Sequence, residues 1–140
     1  MGFVDYQNLY SSDQAVTATA ASENIIDHGA DSSRIADYRE LGKSSEVVAF
    51  VTTDFATCDG ITIAFQSCAS EDFSSTAVTT HKSVLVALAD LVAGTPIEIG
   101  EIPNDTLQYS RLYYTISGSN ATAGKIHAGI GLDKQTNGVL

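Results

Sequence analysis

At 140 residues the chain has the length of one ordinary domain, and 44% hydrophobic against 17% charged residues excludes both a disordered polymer and a membrane-embedded bundle. Seven Lys and Arg stand against 17 Asp and Glu, a formal net charge of −10, which repels phosphate backbones. The basic residues Arg34, Arg39, Lys43, Lys82, Arg111, Lys125 and Lys134 are scattered, so no stripe exists that could neutralise adjacent phosphates, and nucleic acid is excluded as a partner.

The chain opens on Met1-Gly2-Phe3-Val4-Asp5-Tyr6, with no basic start followed by an apolar run, and no segment approaches the roughly 20 apolar residues of a membrane span. A protein made and used in water is expected, with no membrane partner. Phe3, Val4, Tyr6, Leu9 and Tyr10 crowd large apolar groups ahead of the first alternating strand. Residues 1–12 are therefore expected to form an extended N-terminal arm that either packs on its own domain or lies on a partner, and for the second case these five side chains are the candidate contacts, because aromatic groups concentrate in interface cores.

β-branched runs predict strands over Ala15 to Ala20, Asn24 to Asp27 and Glu46 to Thr53. The last of these carries Val47, Val48, Phe50 and Val51 on both faces, which suits the middle of a sheet. Between them, Ile35, Tyr38 and Leu41 are spaced at three and predict one short helix inside an irregular 31–45 loop stopped by Gly42. Cys58 and Cys68 flank an Asp59-Gly60 pair that signals a hairpin. The two thiols read as small buried hydrophobes, with a cross-hairpin disulfide as the alternative.

Period-2 alternation continues through Ile61, Ile63 and Phe65, through Val84, Val86 and Leu88, through Ile97 and Ile99, and through Leu112, Tyr114 and Ile116. Its clearest run is Ile126, Ala128, Ile130 and Leu132 against Lys125, His127, Gly129, Gly131 and Asp133. Turn chemistry punctuates these runs at Gly94-Thr95-Pro96, Pro103-Asn104-Asp105, Gly118-Ser119-Asn120 and Ala123-Gly124. About eight or nine short strands without alternating long helices predict an all-β, antiparallel β-sandwich, jelly-roll-like, with a single domain over 13–140.

Signs of chemistry are few. His28, His81 and His127 lie far apart, and neither they nor the cysteines have metal-ligand spacing, so no metal is expected. Glu71-Asp72 and Glu98 with Glu101 sit among turn and surface residues. Gly118-Ser119-Asn120-Ala121-Thr122 lacks the second glycine of a nucleophile elbow, and Gly129 and Gly131 lie inside a strand, marking close backbone approach or a bulge. Asn104-Asp105-Thr106 and Asn120-Ala121-Thr122 match the short glycosylation pattern by chance. No catalytic residue, cofactor or small-molecule substrate is expected.

Four pieces in order carry a family likeness: Ser12 to Asp27 (SDQAVTATAASENIID) followed by His28-Gly29, Ala89 to Thr95 (ADLVAGT), Arg111 to Ile116 (RLYYTI), and Thr122 to Asp133 (TAGKIHAGIGLD). Together they resemble the jelly-roll capsid cement, or decoration, proteins of tailed bacteriophages, while Asp31 to Ser45 departs from that pattern. The resemblance implies a structural protein without active site or cofactor. It would be made in the host bacterial cytoplasm and placed on the outer surface of the virion, where it binds the major capsid protein and itself, as a homodimer with a trimer as the alternative. Two other readings of a sandwich stand beside it: a tail- or fibre-associated protein binding carbohydrate, and a cupin-type enzyme, which would need converging histidines and a carboxylate.

Overall fold

The computed structural model describes residues 4–27, 46–73, 78–101 and 108–131. Phe3, the expected helix near Ile35 to Leu41, the turn at Pro103 to Asp105 and Leu132 lie outside the described residues. Nine strands are described: β1 (Val4–Ala15), β2 (Ala20–Ala21), β3 (Ile26–Asp27), β4 (Glu46–Ala56), β5 (Gly60–Cys68), β6 (Thr79–Ala87), β7 (Pro96–Glu101), β8 (Tyr109–Ser117) and β9 (Ala123–Gly131). They form two antiparallel sheets, one ordered β1-β9-β4-β7 and the other β2-β8-β5-β6, with β3 also paired to β8. The protein is an all-β antiparallel sandwich.

The pairing is nested. β1 pairs with β9, β2 and β3 with β8, β4 with β7, and β5 with β6. Most contacts therefore join distant parts of the chain, and the core sits where alternate residues of the two sheets meet. Ile61, Ile63 and Phe65 of β5, Val47, Ala49 and Val51 of β4, and Ile126, Ala128 and Ile130 of β9 are all buried there. Each fully buried Val, Ile or Phe contributes roughly 1.5–3 kcal/mol, so the period-2 spacing of these residues is what drives the sheets together. β4, apolar on both faces, does lie inside its sheet, between β9 and β7.

Three local expectations need correction. Ala15 to Ala20 is not a strand: β1 ends at Ala15, and the chain then crosses to the other sheet, held by Val16 N–H donating to Gly124 O (3.1 Å) and Ala121 N–H donating to Thr17 O (3.0 Å). The β propensity of its Thr and Ala residues gives way to the need to change layer. Asp59-Gly60 is not a hairpin turn, because β4 and β5 belong to different sheets. It is another crossing, in which Asp59 N–H donates to Ser117 O (2.8 Å).

The third correction concerns the N-terminal arm. Residues 4–12 are part of β1, at the edge of the four-stranded sheet, rather than an extension beyond the domain. The strand is bulged: Leu9 opposes Gly129 and Ser11 opposes Ala128, so Tyr10 and Ser11 together face one residue of β9. That extra residue turns both Tyr10 and Ser11 toward the core, where each is 0% exposed. A further irregularity follows between Ser11 and Gln14, where Asp13 takes a positive φ of 56°.

Between β7 and the strand before it, Leu88–Asp90 forms a 3-10 turn and buries Leu91 behind it. The next turn closes with Thr95 N–H donating to Val92 O (3.1 Å), and its third residue, Gly94, has φ +93°. A positive φ at the third residue of such a turn is one that glycine adopts without steric cost.

Candidate interaction surfaces

Of the five side chains assigned to a partner, the structure takes two away. Tyr10 is fully buried, its ring edge-on to Phe65 at 6.3 Å, and Leu9 is 8% exposed on the other side of β1. Both belong to the protomer, because the bulged β1 closes the sandwich rather than leaving it. Val4 and Tyr6 are backbone members of β1, with Val4 opposite Gly131.

Sequence reasoning missed what holds that closure. Tyr10 hydroxyl and Ser110 Oγ lie 2.7 Å apart, as do Ser11 Oγ and Tyr114 hydroxyl. Ser11 donates its one proton to Gln14 Oε1 (2.6 Å), so Tyr114 must be the donor to Ser11. Burial pushes the Tyr114 phenol well above the ordinary tyrosine range, against the opposing pull of the Ser11 hydrogen bond. A signal existed: Ser110 and Tyr114 share parity with inward Leu112, and a polar group placed inward needs a partner.

The same region satisfies the outer edge of β1. Ser12 N–H donates to Glu23 Oε1 (2.6 Å), Glu23 N–H and Gln14 Nε2 reach Gln14 Oε1 and Ala21 O (2.9 and 3.1 Å), and Asn24 N–H donates to Tyr10 O (3.0 Å). Between β2 and β3 the ladder to β8 is patched by Ser22, whose Oγ accepts from Leu112 N–H (3.2 Å). The segment 21–24 thus covers an edge that would otherwise present unpaired backbone.

The opposite edge of the five-stranded sheet is β6. Its first half carries Lys82 and a bulge, since Phe65 opposes Lys82 while Gln66 opposes Thr80. His81, displaced by that bulge, lies 5.8 Å from the Phe65 ring with Nε2 2.6 Å from Ser67 Oγ. Its second half, Ser83 to Ala87, is regular and uncharged, and Leu85 there is 70% exposed.

On the outer face of the same sheet, Arg111 of β8 is held in place by its neighbours. Phe73 lies with its ring centroid 4.3 Å from the guanidinium carbon, Tyr113 at 5.2 Å, and Arg111 Nε donates to Gln66 Oε1 (2.9 Å). Phe73 reaches this place from a tight turn in which its N–H donates to Ser70 O (3.1 Å), with φ +53°. Burial draws the Arg111 guanidinium below its ordinary range, opposed by the neighbouring Tyr113 and Cys68.

Cys58 and Cys68 are free and buried. They stand beyond and at the two ends of β5, and nine strand residues span about 26 Å, far more than a disulfide can bridge. His127 opposes Phe50 on the outer face of the other sheet, half-buried, and His28 lies outside the described residues. Among the described residues no group of three or more His, Cys, Asp or Glu is placed to hold a metal ion, and no helix is long and apolar enough to cross a membrane.

A comparison with curated proteins finds no match. The family comparison does: residues 10–130, from the bulge of β1 almost to the end of β9, match Bbp16, a phage-related family. The match takes in both sheets, the covered edge and the open one, and the chain belongs to the Bbp16 family.

Proposed function

We propose that this chain is a non-enzymatic structural protein of a tailed-phage virion, a capsid cement protein that binds the outside of the shell and clamps neighbouring major capsid subunits. The observation that carries this reading is the Bbp16 match over residues 10–130, nearly the whole sandwich. The nested pairing of first strand with last and of each inner pair in turn supports describing the sandwich as a jelly roll. The net charge of −10 suits an outer face that keeps a finished particle soluble.

The self-association implied by the resemblance has its best candidate in the second half of β6. An edge strand offers unpaired N–H and C=O groups, and two copies related by a two-fold axis add antiparallel to one another there. Leu85 would meet its counterpart beside that axis. A dimer presents each capsid-binding patch twice, so two modest contacts reinforce each other once both are made.

The test is to image particles assembled with and without the protein by electron cryomicroscopy and to heat both. Added density on the outer surface together with greater resistance to heat is expected. Density confined to the tail, or none on the particle, refutes the cement reading.

A further inference from the structure

We propose that Arg111 is the anchor by which this chain reads a carboxylate side chain of the capsid subunit, its guanidinium fork being set in advance by Phe73, Tyr113 and Gln66. The inference rests on the cement reading and adds to it a residue and a chemistry.

Acidic residues outnumber basic ones 17 to 7 in this chain, so an arginine on its surface has many potential carboxylate partners. Arg111 takes none among the described residues. Its contacts are two aromatic rings and one amide oxygen, and the amide takes the Nε donor, so the four N–H donors on the two terminal nitrogens are not used by Gln66. An arginine that served only its own fold would be expected to find a charge partner in so acidic a protein.

The stacking also has a conformational cost. Phe73 adopts φ +53°, a region that bulky side chains avoid, and by doing so brings its ring over the guanidinium. Strain of this kind is commonly held where a structure fixes a group for binding. The rings keep the planar fork in one orientation, which removes much of the side-chain ordering that binding would otherwise require. A fixed planar fork matches a carboxylate through two parallel N–H···O bonds, and arginine and tyrosine are the residues that dominate interface energetics.

The occupant is assigned to the capsid subunit rather than to a second copy because the two surfaces are separate in the fold. Arg111 lies on β8, with β5 between it and the β6 edge. A dimer formed edge to edge through β6 would place both Arg111 side chains, each half-buried, on the same face of the joined sheets.

The experiment uses the full chain and purified capsids that lack it, with co-sedimentation as the readout for wild type, Arg111→Gln and Arg111→Lys. Circular dichroism and sedimentation velocity of each variant report folding and oligomeric state. Wild type should bind, with affinity falling as salt rises. Arg111→Gln should lose about 10- to 100-fold in affinity and much of the salt dependence while keeping the wild-type spectrum and oligomeric state. Arg111→Lys, which keeps the charge without the planar fork, should recover only part of the loss. A folded Arg111→Gln protein that binds as tightly as wild type overturns the inference and leaves the cement reading standing. Loss of self-association in Arg111→Gln would place the carboxylate on a second copy and also overturn it. If wild type itself fails to bind, both readings fall together.

Discussion

The two lateral edges of the five-stranded sheet are finished in opposite ways. On the side of β2 and β3, the neighbouring edge of the other sheet is drawn in: β1 bulges so that Tyr10 and Ser11 both point inward, and their hydroxyls meet Ser110 and Tyr114 of β8. On the side of β6, the regular half of the strand carries Leu85 at 70% exposure. A large apolar side chain is fully enclosed at the first edge and left in water at the second. Water-exposed apolar surface on an uncharged strand edge favours association, so under the proposed self-association the contrast separates what the protomer needs to fold from what it offers to a second copy.

The contrast can be tested most severely at Tyr10. Tyr10→Ala removes a fully buried ring that packs against Phe65 and bonds Ser110, and a loss of about 3–5 kcal/mol is expected in urea unfolding. A loss below about 1 kcal/mol would mean that β1 is not part of the cooperative core and would restore it as a separable arm. Next in size is Gly124→Ala at the start of β9. Its φ is +143°, and an added Cβ would run into the Phe55 ring, so overpacking of about 1–3 kcal/mol is expected, read as a lower melting temperature.

Tyr114→Phe isolates the hydrogen bond from the packing. The ring stays, but Ser11 Oγ loses the donor it accepts from while still donating to Gln14. About 1–2 kcal/mol should be lost, less than for Tyr10→Ala, since one buried hydroxyl is left half-satisfied. An unchanged unfolding midpoint would show that the seam is closed by apolar contact alone.

Much of the sandwich could be read from the chain because burial repeats at every second residue, and that spacing survives any arrangement of strands. Ile126, Ala128 and Ile130 were expected on one face and are buried together. The strand partners were harder, since nested pairing joins residues more than a hundred positions apart, as in Leu9 with Gly129, and local propensity carries no information at that distance. Asp59-Gly60 misled for the same reason: a turn pair looks alike whether the chain returns to its own sheet or crosses to the other. Leu9 and Tyr10 read as candidate partner contacts because their segment precedes the first clean alternation, and the bulge that turns Tyr10 inward leaves no mark in the pattern. Arg111 reads in the sequence as one scattered base among seven. Its parity with Tyr113 placed both on one face, but Phe73 arrives from a turn nearly forty residues away.

The smallest effect on folding is expected at the open edge, and there the effect on assembly should be largest. Leu85→Asp replaces an exposed side chain on β6, so the melting temperature should move by an amount corresponding to no more than about 0.5 kcal/mol. Two aspartates brought together beside a two-fold axis repel each other, and a carboxylate resists the partial desolvation of a strand edge. On the proposed β6 dimer, sedimentation velocity should therefore show a shift from dimer to monomer in a protein whose circular dichroism is unchanged. If the dimer persists, β6 is not the self-association edge. If instead the domain unfolds, Leu85 does more for the protomer than its exposure suggests, and the division between a closed edge that folds and an open edge that assembles fails.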